Sequence, residues 1–226
     1  MTIKTLGSGS GVRVNETRPE DSGVFCDVLA LATPGEPVSR AVAMAPRLKL
    51  GPPLTHGLTM CLTARTSDGQ TVGALIASTP RWIFEHPALS GTVIPELVYD
   101  RVISIHGVAV HPGHRRQGVA RKLIRSAERR ARDAGYRVVI LEHPKSLTGF
   151  YSRLGYDAGN AEHVLSLPQL RMVAQSATPL LCAAVPLTKE IHLTGVPGFP
   201  SRIICGLLPG TRLPATARYH QGQLTI

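Results

Sequence analysis

Two stretches hold residues whose types could move a proton beside a bound anion. His106 stands in the apolar run Ile103 to Val110, ISIHGVAV. Side chains of an extended chain alternate, so Ser104, His106 and Val108 share one face. A histidine titrates at about pH 6.5, which suits a group that takes a proton at neutral pH. A placed base of this kind is worth roughly 10²- to 10⁴-fold in rate. A strand histidine can also be no more than a satisfied core residue. Glu142 closes a second apolar run and is a further base candidate, or else an exposed strand-end carboxylate.

The anion site follows directly after the His106 run. His111-Pro112-Gly113 breaks the strand, because proline lacks a ladder donor and glycine tolerates positive φ. Arg115, Arg116, Gln117, Gly118, Val119 and Ala120 then lead into an amphipathic helix. The unpaired N–H groups and positive dipole end of that helix would face an anion at its start. Gly118 and Ala120 keep side chains clear, so backbone can approach a phosphate closely. No Lys-Ser/Thr pair follows the glycine and no Gly-x-Gly-x-x-Gly is present, which excludes the usual nucleotide-hydrolase and dinucleotide loops.

These residues need a scaffold, and the rest of the chain spells one out. Val12 to Val14 reads as a strand, and Pro19 with Glu20 and Asp21 starts a helix reaching about Leu31. Val38 to Leu50 reads as a second helix. Leu58 to Thr66 and Thr71 to Ser78 read as strands joined by Asp68-Gly69, a strong hairpin signal. Thr79 to Asp100 carries the only tryptophan and several prolines, and reads as an irregular excursion that could line an acceptor pocket. The helix from Gly118 to Ala134 puts Val119, Leu123, Ile124, Ala127, Ala131 and Ala134 on one face, with Gly135 as its cap. Tyr136 to Leu141 reads as a buried parallel strand, Leu147 to Leu154 as a short helix, and Leu180 to Leu187 as a last strand. His111, His114 and His143 read as surface or loop residues. This order predicts a mixed α/β fold.

Composition narrows the class. The chain has 226 residues, 43% of them hydrophobic, and a formal net charge of +10. That argues for a globular protein with a real core. No long apolar run and no signal peptide is evident, so the expectation is a cytoplasmic protein with no membrane span. Cys26, Cys61, Cys182 and Cys205 lack metal-ligand spacing, so no metal is expected. Much of the positive charge follows His111, including Arg121, Arg125 and Arg129. No aromatics are interleaved with these arginines, which argues against a nucleic-acid partner.

Two patterns resemble the GNAT acetyltransferases. Val108-Ala109-Val110 followed by Arg-x-x-Gly-x-Ala, Arg115 to Ala120, resembles their coenzyme A loop. Gly149 to Tyr156, GFYSRLGY, resembles their second signature. The likeness covers about Val12 to Leu187. It implies a GNAT fold with a mixed central sheet flanked by helices, acetyl-CoA as co-substrate, and acetyl transfer to an amine. In that reading Val108, Ala109 and Val110 bind the pantetheine arm through backbone, and the Val108 N–H polarises the thioester carbonyl. Arg115, Arg116, Gln117, Gly118, Val119, Ala120 and Arg121 hold the phosphates. His106 is the base, with Glu142 as second candidate, and Tyr151 gives a proton to the leaving thiolate.

The strand Ile105 to Pro112, IHGVAVHP, further resembles the arylalkylamine (serotonin) N-acetyltransferase branch. There Ser104 takes the place of a histidine in the proposed proton relay. The resemblance points to a small primary amine as acceptor; a protein amine, an aminoacyl-tRNA or a non-catalytic acyl-CoA-binding domain are the alternatives. No cysteine lies in the motif, so direct attack in a ternary complex is expected. Residues 1–11 read as a flexible arm and 12–187 as the acetyltransferase domain. Residues 188–226 read as an irregular strap, packed on the domain or at a homodimer interface. Its apolar run Ile203 to Leu208 is expected to be buried.

Overall fold

A computed structural model describes residues 11–32, 60–170, 172–176, 178–220 and 223–225. The expected helix Val38 to Leu50 lies outside the described residues. The chain forms two compact units. One holds the described residues 11–32, 60–76 and 107–126, and the other holds 77–106 and 127–225.

In the first unit, β1 (Arg13–Glu16) pairs antiparallel with β2 (Met60–Arg65). A short 3₁₀ turn with Pro19 in its first turn leads into α1 (Ser22–Leu29). Arg65 on β2 grips the Asp21 carboxylate at 2.5 Å, which fixes the helix entry. Helix α1 buries Phe25, Val28 and Leu29 against Cys61, Ala74, Ile76 and Ala109. Each such side chain contributes about 1.5–3 kcal/mol. The hairpin to β3 (Thr71–Ser78) turns as the sequence predicts. Gly69 adopts φ +90° and donates to the Thr66 carbonyl at 3.1 Å. That is the left-handed last residue of a three-residue hairpin loop.

In the second unit the excursion after Thr79 is more regular than expected. It holds α2 (Trp82–Glu85), a 3₁₀ turn at Pro87–Leu89, and α3 (Ile94–Val98). Pro87 and Pro95 stand in first turns, where the missing N–H costs nothing, so they start helices and do not break them. Strand β4 (Val102–Val110) and α4 (Val119–Asp133) come next in the chain, residues 107–126 of this stretch belonging to the first unit. Gly135 at φ +94° ends α4. Its N–H reaches the Arg132 carbonyl, and the Tyr136 N–H reaches that of Ala131. This pair of bonds is a Schellman cap.

The cap takes up Tyr136, so β5 spans Val138–His143 and not Tyr136 to Leu141. His143 therefore lies inside a strand, 1% exposed, which corrects its reading as a surface residue. Helix α5 (Thr148–Arg153) and β6 (Asp157–Asn160) come next. They lead to β7 (Glu162–Ser166), β8 (Met172–Ser176) and β9 (Leu181–Pro186). The large sheet has the order β1-β2-β3-β4-β5-β9-β6. It is mixed: β4 and β5 run parallel, while β9 is antiparallel to both β5 and β6.

Residues 188–226 contain more strand than the sequence suggests: β10 (His192–Thr194), β11 (Ile203–Cys205), β12 (Arg218–His220) and β13 (Gln223–Thr225). A second sheet has the order β10-β11-β7-β8, with Ile203 opposite Val164 in a parallel register. Ile203, Ile204, Cys205, Leu207 and Leu208 are all buried. Ile204, Leu207 and Leu208 share a core with Val102, Val138, Ile140 and Leu165. Gly206 has φ +88°, and a Cβ there would collide with the Glu190 carbonyl oxygen. The fold is thus mixed α/β, with a large mixed sheet, helices and extra C-terminal strands.

Candidate active site

Strand β4 ends at Val110, and the His111 N–H donates to the Val72 carbonyl at 2.9 Å. The loop beyond it is braced by its own side chains. Arg115 Nε donates to the Val110 carbonyl and Gln117 Nε2 to that of Gly113, each at 3.1 Å. Arg116 has φ +60° and Gly118 φ +79°. Two left-handed residues so close together swing neighbouring N–H groups toward a common side, the backbone arrangement that cups an anion. A left-handed arginine is strained by about 1 kcal/mol or more, a cost found where backbone shape serves a site.

Gly118 accepts the Lys122 N–H at 3.0 Å and so caps α4. The N–H groups of Val119, Ala120 and Arg121 have no acceptor within the helix. No acidic residue stands in the first turn. A Cβ built on Gly118 would meet nothing within 4 Å. Arg115, Arg116, Gln117, Gly118 and Arg121 are exposed, while Val119 is buried and anchors the turn. The anchor is close: a Cβ on Gly73 would sit 3.0 Å from both Val119 Cγ1 and Leu123 Cδ1, and 3.3 Å from the Ala109 carbonyl. Gly73 thereby lets the start of α4 approach the backbone of β4. Open space, free N–H groups and arginines fit the phosphates of coenzyme A.

His106 sits where the parallel pairing stops. The register of β4 on β5 runs from Val102 opposite Val138 to Ile105 opposite Leu141. His106 and Glu142 are the next residues on each strand. His106 is exposed, and its Nε2 lies 2.7 Å from Ser78 Oγ. Desolvation pulls its pKa down to about 4, so the imidazole is neutral at pH 7 but a weaker base than the group titrating at about pH 6.5 that the sequence suggests. An imidazole both reachable and desolvated has protein mass around it and one open side. Val108 and Val110 are half-buried on the same strand face, and Ala109 is buried on the other.

Ser104, the expected relay group, is buried at 9% exposure, and the partner of the His106 ring is Ser78. Sequence reasoning missed Ser78 because it lies 28 positions away on the neighbouring strand. Its one local signal was its place at the end of the Thr71 to Ser78 strand.

Glu142 is exposed and faces Cys182 across the β5–β9 pair. Desolvation raises its pKa. Tyr151 on α5 is 6% exposed, and desolvation pushes its pKa up to about 12, so it carries its proton at neutral pH. His143, Phe150 and Tyr156 hold its ring at centroid distances of 5.1, 5.1 and 5.7 Å. Phe150 beside it is only half-buried. Among the described residues no hydrogen bond joins His106, Glu142 and Tyr151 to one another. Among these residues no group of three or more His, Cys, Asp or Glu could hold a metal, and no helix is long and apolar enough to cross a membrane.

Residues 48–156 match the family model described as acetyltransferase (GNAT) family. No curated protein sequence matches the chain. Solved structures do share its fold. A Desulfovibrio desulfuricans protein assigned to the GNAT family aligns with TM-score 0.51 and 17% identity, over 79% of this chain and 100% of its own. Salmonella typhimurium yncA, which holds its cofactor acetyl-CoA, gives TM-score 0.51 and 16% identity over 82% and 98%. The Escherichia coli ribosomal-protein-S18-alanine N-acetyltransferase gives 0.50 and 14% over 78% and 94%. The Arg115 to Arg121 loop, the strand that carries His106 and the Gly149 to Tyr156 signature all fall inside residues 48–156, the stretch that matches the acetyltransferase (GNAT) family model.

Proposed function

We propose that the protein transfers an acetyl group from acetyl-CoA to a small primary amine by direct attack, without an acetylated enzyme. One observation carries the reading. Strand β4 loses its β5 partner at His106 and runs on into the left-handed Arg116–Gly118 turn that caps α4. Along the chain a neutral imidazole, a stretch of backbone past the end of the parallel pairing, and the left-handed turn thus follow one another in that order. The backbone of Val108 to Val110 would hold the pantetheine arm. The N–H groups at the start of α4, with Arg116 and Arg121, would hold the phosphates.

The co-substrate supplies an acetyl group activated as a thioester. His106 takes the proton that an ammonium acceptor must lose, since an ammonium has no lone pair to attack with. Tyr151, protonated at neutral pH, gives a proton to the departing thiolate. Glu142, next past the paired register on β5, orients the amine. The likeness of Ile105 to Pro112 to the arylalkylamine branch supports a small acceptor. The test is a thiol-release assay with acetyl-CoA and a panel of arylalkylamines, polyamines and peptide amines, with acetylated products identified by mass spectrometry. Amine-dependent release with an arylalkylamine or polyamine is expected. Release only with peptide amines would overturn the acceptor class, and none with any amine would overturn the activity.

A further inference from the structure

Hydroxyl protons can be counted around His106, and the count decides which ring nitrogen is basic. Ser78 Oγ lies 2.7 Å from His106 Nε2 and 3.3 Å from the Thr79 carbonyl oxygen. A serine hydroxyl has one proton, and a carbonyl can only accept. Both bonds exist together in one way: Ser78 donates to the Thr79 carbonyl and accepts from an Nε2–H of His106. The reverse assignment leaves the Thr79 carbonyl without that donor.

The Thr79 end of this chain is itself fixed. Thr79 is buried, and its Oγ1 donates to the Tyr99 carbonyl at 3.1 Å. That hydroxyl proton being used, Thr79 Oγ1 accepts from the Tyr136 hydroxyl at 3.4 Å. Tyr136 is buried after the α4 cap, so the wall behind Ser78 is anchored in the core.

We infer that Ser78 is a positioning residue: it holds the proton of neutral His106 on Nε2 and leaves Nδ1 as the nitrogen that takes the acceptor's proton. The inference rests on the proposed amine acetylation and assigns the base its reactive atom. In the step, the N–H bond of the ammonium breaks and an Nδ1–H bond forms. The freed electron pair stays on the amine for attack. The imidazolium keeps its Nε2–H on Ser78 throughout, so no rearrangement accompanies the transfer, and its exposed ring returns the Nδ1 proton to water. Ser104 has no part in this route.

The decisive experiment is ¹⁵N NMR of the full chain labelled at histidine, with His106 assigned by its loss in His106→Gln. At pH 7 the expected pattern is a protonated Nε2 and a bare Nδ1. A protonated Nδ1, or an averaged pair, would overturn the inference. Ser78→Ala should raise the Nδ1–H population measurably above that of the wild type and lower kcat about tenfold or more with a smaller change in KM. Ser78→Thr, which keeps the hydroxyl, should restore both. An unchanged tautomer in Ser78→Ala would sink the positioning role. The NMR signal needs no substrate, so it decides the role of Ser78 even if the amine panel shows no transfer.

Discussion

His106 and His163 are both imidazoles kept neutral by desolvation, each with its pKa lowered to about 4. Their surroundings differ. His106 is exposed at the end of the β4–β5 pairing and bonded to Ser78. His163 is 3% exposed on β7 of the second sheet, and its Nε2 has no hydrogen-bond partner. Burial dominates its shift; neighbouring His143 adds to it, and a bond with the Leu141 backbone opposes it. The same low pKa therefore means two things. At a reachable ring it keeps a lone pair available for chemistry. At a sealed ring it has no chemical use, and its effect is confined to stability, to which both lowered values contribute as pH falls.

The glycines repeat the contrast. Gly118 and Gly206 both have positive φ, yet a Cβ on Gly118 enters open space while one on Gly206 strikes the Glu190 carbonyl. One turn leaves room for a ligand, the other for the chain itself.

Removing the reachable ring gives the largest expected effect. His106→Ala should lower kcat at pH 7 by roughly 10²- to 10⁴-fold. Its thermal midpoint should barely move, because an exposed side chain contributes little packing. Steady-state rates and a melting curve on one preparation check both halves.

The sealed ring should act only on stability. Below about pH 6.5 the unfolded chain protonates this histidine, while the folded chain resists until about pH 4. The unfolded state therefore binds more protons in that window, and stability falls as pH drops through it. The loss is on the order of 2 kcal/mol. His163→Leu should reduce this dependence in urea unfolding at pH 7 and pH 4.5, leaving the share that His106 contributes, with kcat unchanged. An equal slope in both proteins would assign the pH dependence to other groups.

A charge in the open turn should touch binding alone. Gly118→Glu places a like charge and a Cβ where phosphates are expected, and calorimetric affinity for acetyl-CoA should drop about tenfold or more. Undiminished affinity would move the phosphate site elsewhere. The smallest effect belongs to Tyr151→Phe, which keeps the ring against His143 and Tyr156 and removes only the hydroxyl. Turnover should fall about tenfold, at or below the low end for a placed proton donor, with the melting temperature preserved. Full activity would reduce Tyr151 to packing.

Legibility followed contact range. Strand β3, the Gly69 turn, α4 and its Gly135 cap were readable because hydrophobic period and turn chemistry are local. The second sheet was not. Strand β11 is three residues long and pairs with β7, about forty positions earlier. His143 was misplaced because the Schellman cap shifts β5 onward by two residues, and no composition signal marks that shift. Of the candidate site, the loop and His106 could be named from sequence because they share one continuous strand and turn. Ser78 could not, since only strand pairing brings it to His106.

The central claim, that neutral His106 removes the acceptor's proton, is tested most directly by kcat/KM against pH for wild type and His106→Ala with the best amine. The account predicts a wide gap near pH 7 that narrows above about pH 9, where free amine becomes available without a base. The wild-type curve should show no histidine step between about pH 5.5 and 8, because the ring is already neutral there. Parallel curves for the two proteins across the whole range would contradict it.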